Sequence, residues 1–327
     1  MYTVLECVQL GQPEQALAFA TRPHGPLPPG HVRVAVRAAG INFPDLLMLA
    51  GEYQYKPSLP FVPGFEAAGT IIEMAPDVSG WRLGQAVLAN CRTGAFAEEL
   101  VVPDTSLLPK PEHYTFEQGA AFPVCASTAW AALVARGDLR SNERLLVLGA
   151  GGGTGLAAVA LGHQLGARVI AIASTEEKRR AARQAGADYV LDASKPDWPM
   201  EVMNLTDQHG ADVVFDPVGG DAFHAAWKTV APNGRYLVIG FASGDRPSLA
   251  ANRLLLRGAS LIGVRAGEQL RRNPALEPLQ RQSLAAWLAS GKGRPLVSEI
   301  HPFNRAARAI VRLGERQVVG KLVLRIP

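Results

Sequence analysis

A glycine-rich segment at residues 149–155 carries the clearest chemistry in this chain. It follows the apolar run 145–148 and precedes a helix-like stretch, residues 156–165. A buried strand, a glycine turn and a helix N-terminus in that order form a cradle for a diphosphate, because backbone N–H groups and the helix dipole meet the anion at close range. The loop has Ala150 at the first of the three fingerprint glycines. Its glycines alone are therefore a weak match, and the flanking strand and helix strengthen it.

The end of the next apolar run, residues 168–173, indicates which dinucleotide the loop would hold. A site specific for NAD places an acid there, roughly 20 residues after the loop, to bind the ribose 2′-hydroxyl. This chain has Ser174 instead, followed by the cations Lys178, Arg179 and Arg180. Because these residues suit a 2′-phosphate, we expect NADPH as the cofactor, with Ser174 and Lys178 contacting the phosphate. The alternative for these two residues is a solvated helix start.

Length and composition permit two ordinary globular domains. The chain has 327 residues, of which 48% are hydrophobic and 19% are charged, and its net charge is +4. These values are typical of a globular enzyme, and the small positive charge does not imply nucleic acid. The three cysteines contain no C-x-x-C pair, which argues against a disulfide framework or a cysteine-rich metal site. With no leader-like N-terminus and no long uninterrupted apolar stretch, we expect a cytoplasmic protein without a membrane span.

The elements that must position these residues fall into two kinds. Up to about residue 111, short β-like runs between prolines and glycines predict a compact, largely antiparallel β-barrel-like domain. From residue 117, strand-like runs alternate with helical spans, which favours a parallel, doubly wound sheet with right-handed crossovers. The end of the chain is again rich in β-like runs. We therefore predict an α/β fold in which a Rossmann domain, residues 120–265, is inserted into a catalytic domain formed by residues 1–119 and 266–327.

Short motifs in a fixed order run along nearly the whole chain. They are GINFPD at 40–45, GEY at 51–53, PGFEAAG at 63–69, GAFAE at 94–98, the glycine loop, DVVFDPVGG at 212–220 and GK at 320–321. In this order and spacing the chain resembles the medium-chain dehydrogenase/reductase family, and within it the zinc-independent quinone oxidoreductase branch. Residues 251–257 resemble the quinone oxidoreductase-like group. The resemblance implies a GroES-like catalytic domain and a homodimer joined edge to edge through the strand at residues 260–264.

The ligands that hold zinc in the zinc-dependent relatives are replaced in this chain. Those relatives use a cysteine in an early loop, the histidine of a Gly-His-Glu motif and a later cysteine. The corresponding positions here are Asn42 and Phe65, while Cys91 stands alone. Phenylalanine cannot donate to zinc, and one cysteine cannot build a tetrahedral thiolate site, so we expect no catalytic or structural zinc. Without a Lewis acid, reduction of a conjugated carbonyl is easier than oxidation of an alcohol, because the charge that develops is delocalised.

The resemblance also implies roles for single residues near the reacting atoms. Asn42 and Tyr53 match family positions close to the nicotinamide and the substrate oxygen, and we expect both to donate hydrogen bonds to the developing oxyanion. The alternatives are that Asn42 closes the turn at residues 40–45 and that Tyr53 only forms a pocket wall. Leu49 stands where relatives often carry an arginine, so we expect a less polar pocket floor.

The remaining predicted residues are contacts to the cofactor. Thr128 matches a family helix start that faces the cofactor, and a simple helix cap is its alternative. We also expect cofactor contacts from Asn42, which is a predicted catalytic residue as well. The backbone of the glycine loop contributes Gly152, Gly153 and Thr154. The carboxyl ends of two strands, where ligands of doubly wound sheets bind, contribute Ile239, Gly240, Phe241, Gly263 and Val264.

These observations favour a zinc-independent, NADPH-dependent reductase that transfers hydride to a quinone or another α,β-unsaturated carbonyl compound. An enoyl-thioester reductase is an alternative with the same hydride chemistry. A third possibility is an NADPH-binding protein without enzyme activity, acting in redox sensing or RNA binding. The chain has no RNA-recognition motif and no aromatic residues interleaved with its basic ones. We therefore expect a small-molecule substrate, and neither a nucleic acid nor a membrane as partner.

Overall fold

A computed structural model describes residues 1–327, which form two compact units. Unit 1 comprises Met1–Val124 and Arg294–Pro327, and unit 2 comprises Cys125–Gly293. The continuous unit 2 is therefore inserted into the discontinuous unit 1. This arrangement confirms the predicted fold class.

The first part of unit 1 is mainly β-structure. Val32, Val34 and Val36 are buried along one strand, and that strand pairs with antiparallel partners, so the branched side chains form the centre of the core. The elements of this part are β1 (Tyr2–Cys7), α1 (Pro13–Ala16), β2 (Leu17–Arg22), β3 (His31–Gly40), α2 (Phe43–Leu49), β4 (Glu66–Met74), β5 (Ala86–Asn90), β6 (Glu99–Pro103), β7 (Leu107–Pro109) and α3 (Phe116–Ala120).

Unit 2 alternates strands and helices. Its elements are α4 (Pro123–Trp130, which crosses the unit boundary), a π-helix (Ala131–Arg136), β8 (Arg144–Val147), α5 (Gly153–Gln164), β9 (Arg168–Ala173), α6 (Glu176–Gln184), β10 (Tyr189–Asp192), α7 (Trp198–Leu205), β11 (Ala211–Asp216), α8 (Gly220–Trp227), β12 (Val230–Val238), α9 (Ala251–Arg257), β13 (Ser260–Gly263), α10 (Ala266–Arg272) and α11 (Leu276–Ala289). The six strands are all parallel, in the order β10-β9-β8-β11-β12-β13. This order is that of a doubly wound sheet, which the sequence predicts as an architecture without its strand order.

The last part of the chain returns to unit 1 and completes its main sheet. It contains β14 (Val297–Pro302), a 3₁₀ turn (Phe303–Arg305), α12 (Ala306–Gly314) and β15 (Lys321–Arg325). The sheet has the order β14-β15-β3-β4-β5-β7, with β6 paired to β3, while β1 and β2 form a separate hairpin. Leu322 and Leu324 of β15 are fully buried. The final strands are therefore part of the unit 1 core.

The predicted boundary at residues 265–266 is wrong, because α10 and α11 lie in unit 2 and the chain returns to unit 1 only at Arg294. Leu284, Trp287 and Leu288 bury one face of α11. Buried Gln280 on the same helix donates to the carbonyl of Ser127 at 3.4 Å. The amphipathic helix α11 therefore packs on unit 2. The prediction assigned all of residues 266–327 to unit 1, because that segment ends in β-strands.

One helical stretch, Phe116–Arg136, is long and apolar enough to cross a membrane by length and composition alone. In its most apolar window 72% of the residues are buried inside the protein, as is common for core helices.

Candidate active site

The glycine loop lies at the carboxyl end of β8 and leads directly into α5. Gly152 caps α5 in an extended conformation, and the first bond of the helix runs from the Leu156 N–H to the Gly152 carbonyl at 2.8 Å. The N–H groups of the first helical residues therefore point out of the helix end, as anion binding requires. A Cβ atom on Gly155 would collide with the carbonyl oxygen of Gly149. The close turn from strand to helix therefore requires glycine at position 155.

The loop after β11 lies beside the glycine loop, at the point where the strand order of the sheet reverses. A Cβ atom on Gly149 would lie 3.0 Å from Val218 Cγ2, so the two loops approach closely. The buried Asp216 carboxylate accepts hydrogen bonds from the N–H groups of Val218 at 2.7 Å and Gly219 at 2.9 Å. Its second oxygen accepts from the Tyr236 hydroxyl at 2.8 Å. Doubly wound sheets bind their ligands at this reversal, and the Asp216 bonds fix one wall of it.

Burial raises the pKa of both Asp216 and Tyr236. The tyrosine hydroxyl therefore stays protonated and donates to the carboxylate. In the sequence, residues 212–220 stand out only as a family motif; the pairing with Tyr236 is not apparent there, because Tyr236 lies on the neighbouring strand β12.

Five of the predicted cofactor contacts lie along the same edge of the sheet. The N–H of Ile239 donates to the Asp216 carbonyl at 2.8 Å, which places Gly240 and the partly exposed Phe241 next to the β11 loop. The N–H of Val264 donates to the Val238 carbonyl at 2.9 Å, which places Gly263 and Val264 at the end of β13. The structure therefore brings Ile239, Gly240, Phe241, Gly263 and Val264 to the carboxyl edge that also carries the glycine loop.

Ser174 and Lys178 flank the start of α6. Ser174 is exposed directly after β9, and Thr175 caps the helix by accepting a hydrogen bond from the Lys178 N–H at 3.3 Å. A Cβ atom on Gly151 would collide with the side-chain stem of Lys178, so this stem lies across the glycine loop. Burial lowers the pKa of the Lys178 ammonium. The structure thus places Lys178 at the glycine loop and Ser174 at the end of the neighbouring strand β9, while their contacts to a phosphate stay predictions.

Arg179, one of the three cations predicted to suit a 2′-phosphate, is paired with carboxylates of the protein instead. Its guanidinium lies 3.0 Å from Glu176 and 2.9 Å from Asp192, the last residue of β10. It also donates to the carbonyls of Ala173 and Ser174, each at 3.4 Å. Arg179 is therefore committed to holding the end of β9, and it does not supply the charge that a 2′-phosphate would need. The sequence does not show this pairing, because Asp192 lies on the adjacent strand.

Thr128 lies inside α4, which begins at Pro123, so both the predicted helix start and the helix-cap alternative are wrong. One turn earlier, the Cys125 Sγ atom lies 3.9 Å from Thr154 Oγ1 in the glycine loop. Because residues three apart share a helix face, Thr128 lies on the face of α4 that meets the loop. Its contact with a cofactor stays a prediction.

In unit 1, the side chain of Asn42 is nearly fully buried and bonded within the protein. Its Nδ2 atom donates to Glu66 Oε1 at 3.0 Å and to the Gly40 carbonyl at 3.3 Å. Its Oδ1 atom accepts from Lys321 Nζ at 2.7 Å. Asn42 therefore holds the loop at residues 40–45, as the turn-closing alternative states. Donation to a substrate oxygen stays a prediction, and it requires one amide proton to leave Glu66 or Gly40.

Lys321 and Glu66 form a buried ion pair behind that loop. Lys321 Nζ lies 2.8 Å from Glu66 Oε1 and donates to the Ile41 carbonyl at 2.7 Å. The other oxygen of Glu66 accepts from the Val124 N–H at 2.7 Å. Glu66 has 0% of its surface exposed, so its charge is stable only with these partners. In the sequence, Glu66 and Lys321 each belong to a family motif, but nothing there indicates that their side chains form an ion pair.

A second buried carboxylate, Asp45, ties the same loop to the Gly64 turn. It accepts from the N–H groups of Asn42 at 2.8 Å and Gly64 at 3.0 Å. Burial raises the pKa of Asp45 to about 7, although Lys321 and these hydrogen bonds favour the charged form. Beside it, Cys91 donates to the Gly64 carbonyl at 3.4 Å, and burial raises the pKa of its thiol. Cys91 is therefore a structural thiol and an unreactive one.

Aromatic side chains line the surface next to this loop. The rings of Tyr53 and Phe65 meet edge to face at 5.9 Å, with Phe65 in the position of the zinc-binding histidine of the relatives. Leu49 is fully buried, so it adds no polar group. No cluster of three or more histidine, cysteine, aspartate or glutamate side chains is arranged to hold a metal ion. The zinc-free site and the hydrogen bond from Tyr53 to a substrate oxygen both stay predictions.

The chain is similar to known proteins over nearly its full length. Residues 153–281 match the family model of zinc-binding dehydrogenases, and residues 28–112 match the alcohol dehydrogenase GroES-like domain. A quinone oxidoreductase-like protein 2 homolog of Nematostella vectensis is 36% identical, over 99% of this chain and 88% of that protein.

Two solved structures extend the comparison. A probable oxidoreductase of Mycobacterium abscessus is 36% identical, with a TM-score of 0.87 over 99% of this chain and 98% of that one. A mycobacterial protein solved in complex with NADPH is 28% identical, with a TM-score of 0.89 over 99% of this chain and 100% of that one. Together with the sheet order and the glycine loop, these matches confirm the predicted family: the chain belongs to the medium-chain dehydrogenases/reductases, as an oxidoreductase of the quinone oxidoreductase-like type.

Proposed function

We propose that this chain is a zinc-independent, NADPH-dependent reductase that transfers hydride to a quinone or another α,β-unsaturated carbonyl compound. The family membership supports an oxidoreductase that uses a nicotinamide cofactor. The observation that carries the choice of NADPH is the end of β9, where Ser174 replaces the usual acid and Lys178 crosses the glycine loop. A carboxylate at this position would repel a 2′-phosphate, whereas the serine hydroxyl and the ammonium attract it.

The residues of unit 2 offer each anionic part of such a cofactor a group of matching charge. The N–H groups at the start of α5 hold the diphosphate, and the helix dipole favours its negative charge. Ser174 and Lys178 hold the 2′-phosphate, while Arg180 is exposed on the same helix with no carboxylate within salt-bridge distance. When bound, NADPH supplies the hydride.

The reaction consumes one NADPH, one acceptor and one proton. For a quinone, addition of a hydride and a proton would give the hydroquinone, and the cofactor that gave up the hydride would leave as NADP⁺. For an enone, the hydride forms a bond to the β-carbon, the electron pair of the double bond moves toward the oxygen, and a proton from water completes the α-carbon. The role proposed for Tyr53 is to donate a hydrogen bond to that oxygen as its charge grows. Such a bond stabilises the transition state more than the ground state.

An enoyl-thioester reductase remains the second candidate, because it uses the same hydride chemistry on the same fold. Its acceptor carries a long thioester arm, so turnover of short enoyl-thioesters at rates above those of quinones would favour it. We also propose a homodimer through β13, which is an edge strand of the parallel sheet and carries the exposed Leu261.

The test compares the affinities for NADPH and NADH of the wild type, Ser174→Asp and Lys178→Ala. We expect the wild type to bind NADPH at least tenfold more tightly, about 1.4 kcal/mol. Each variant should lose most of that preference, because Ser174→Asp adds a charge that repels the 2′-phosphate and Lys178→Ala removes the cation that attracts it. Lys228→Ala is the matched control, since it removes an exposed cation of unit 2 at the end of α8, before β12 begins. Equal affinities for both dinucleotides in the wild type would refute the choice of cofactor, and a lack of turnover with a panel of quinones and enones would refute the reaction.

A further inference from the structure

We propose that Arg92, stacked on Tyr55, is a binding subsite for an anionic group on the acceptor. The subsite makes the enzyme prefer conjugated carbonyl acceptors that bear a carboxylate, sulfonate or similar substituent. This inference rests on the proposed function, and it adds a class of substrate to it.

The segment that carries Tyr55 presents its aromatic side chains to one side. In residues 52–56 the half-buried Tyr53 and Tyr55 alternate with the exposed Glu52, Gln54 and Lys56. Both tyrosines pack against the core of unit 1. Tyr53, which we assign to the substrate oxygen, and Tyr55 therefore both lie on the core-facing side of this segment.

Arg92 covers the ring of Tyr55. Its Cζ atom lies 3.3 Å from the ring centroid, so the guanidinium is in van der Waals contact with the aromatic face. The interaction uses the face of the guanidinium and leaves the N–H groups at its edge available for hydrogen bonds. The stack also restricts a side chain that would otherwise lose considerable entropy on binding a ligand.

The guanidinium has no anionic partner within the protein. No carboxylate lies within 4.0 Å of it and none of its N–H groups donates a hydrogen bond, although the side chain is exposed. Some other arginines of unit 1 are paired with a carboxylate: Arg33 lies 2.7 Å from Glu73, and Arg325 lies 2.8 Å from Glu117. An ordered, unpaired guanidinium fork matches the geometry of a carboxylate or sulfonate, which it binds through two parallel hydrogen bonds.

The backbone fixes Arg92 next to the proposed substrate surface. The N–H of Cys91 donates to the Phe65 carbonyl at 2.8 Å, and the N–H of Gly94 donates to the Val62 carbonyl at 2.8 Å. Phe65 in turn contacts Tyr53 edge to face. Phe65, Tyr53 and Tyr55 all pack half-buried against the core of unit 1, and Arg92 covers the ring of Tyr55. A conjugated ring would bind against these aromatic side chains with its anionic substituent on the guanidinium.

The experiment measures kcat and KM, at saturating NADPH, for naphthoquinone and for a naphthoquinone sulfonate. We expect Arg92→Gln to raise KM for the sulfonate about tenfold, which corresponds to about 1.4 kcal/mol. For the neutral quinone, KM and kcat should change less than about twofold, and Arg92→Lys should recover part of the loss for the sulfonate, because it keeps the charge and loses the fork. Added salt should raise the wild-type KM for the sulfonate and leave that of Arg92→Gln nearly constant. Arg82→Gln is the matched control, because it removes another exposed arginine of unit 1.

A second readout separates this inference from the proposed function. Equilibrium binding of the naphthoquinone sulfonate, followed by quenching of intrinsic fluorescence, does not depend on turnover. If Arg92→Gln binds it as tightly as the wild type, or if KM rises equally for both quinones, the anionic subsite is refuted. If neither quinone is reduced and the binding defect is nevertheless present, the subsite stands and the proposed reaction fails.

Discussion

Replacing Lys321 with methionine tests whether a buried ion pair holds the loop at residues 40–45. The lysine ammonium lies 2.8 Å from Glu66 Oε1 and donates to the Ile41 carbonyl and to Asn42 Oδ1, each at 2.7 Å. Methionine fills a similar volume and donates nothing. Glu66, with 0% of its surface exposed, would keep only its bonds from Asn42 and Val124. Its charge would then be buried without a compensating cation.

Breaking a buried ion pair by removing one partner costs about 3–5 kcal/mol. We therefore expect Lys321→Met to lower the free energy of unfolding of unit 1 by about that amount. Adding Glu66→Gln removes the uncompensated charge and leaves unpaired polar groups, whose cost is about 1–3 kcal/mol. The double variant should consequently be more stable than Lys321→Met alone by about 2 kcal/mol.

Urea unfolding, combined with hydrogen exchange of residues 40–45, measures the effect globally and at the loop. Lys56→Met is the matched control, since Lys56 is an exposed lysine of the same unit. It should change the free energy of unfolding by less than about 0.5 kcal/mol. If Lys321→Met behaves like this control, or if the double variant is less stable than the single one, the ion pair does not hold the loop.

Two further predictions concern the other buried carboxylates. Burial raises the pKa of Asp45 to about 7, above its unfolded value, in an environment faced by Lys321, Glu66 and Cys91. The folded state therefore binds the extra proton, and the contribution of Asp45 to stability falls as the pH rises from about 4 to about 7. Asp45→Asn should flatten this slope in urea unfolding measured across that range, and an unchanged slope would contradict the assignment. Tyr236→Phe leaves one oxygen of buried Asp216 without its donor, so it should lower the stability of unit 2 by about 1–3 kcal/mol and weaken NADPH binding. Thermal unfolding and NADPH titration of the variant would refute this if both matched the wild type.

The parts of the fold that depend on neighbouring residues could be predicted from the sequence. The glycine loop, the helix that follows it and the strands on either side are local patterns, and together they determine the position of the diphosphate cradle. The parallel order of unit 2 follows from alternating strands and helices, because right-handed crossovers leave few alternative topologies. Ile239 and Val264 could be assigned to the ligand edge for the same reason, since both follow parallel strands.

The contacts between distant residues could not be predicted. Asn42 and Lys321 are 279 positions apart, and no pattern in the sequence indicates that their side chains bond. Arg179 was expected to serve a phosphate, but Asp192 on the neighbouring strand takes its charge. The amphipathic helix α11 has an apolar face whose sequence does not indicate which unit it covers. In each case the partner is determined by the packing of the sheets, which a single sequence leaves open.

The position of β15 has a consequence for how the protein is made. This strand lies between β14 and β3 in the sheet. Its Lys321 forms the ion pair with Glu66, a residue that is added much earlier in synthesis. During synthesis every residue of unit 2 has been added before this cation exists. The continuous unit can therefore fold on the growing chain, whereas the discontinuous unit reaches its native sheet only after translation of its final strand.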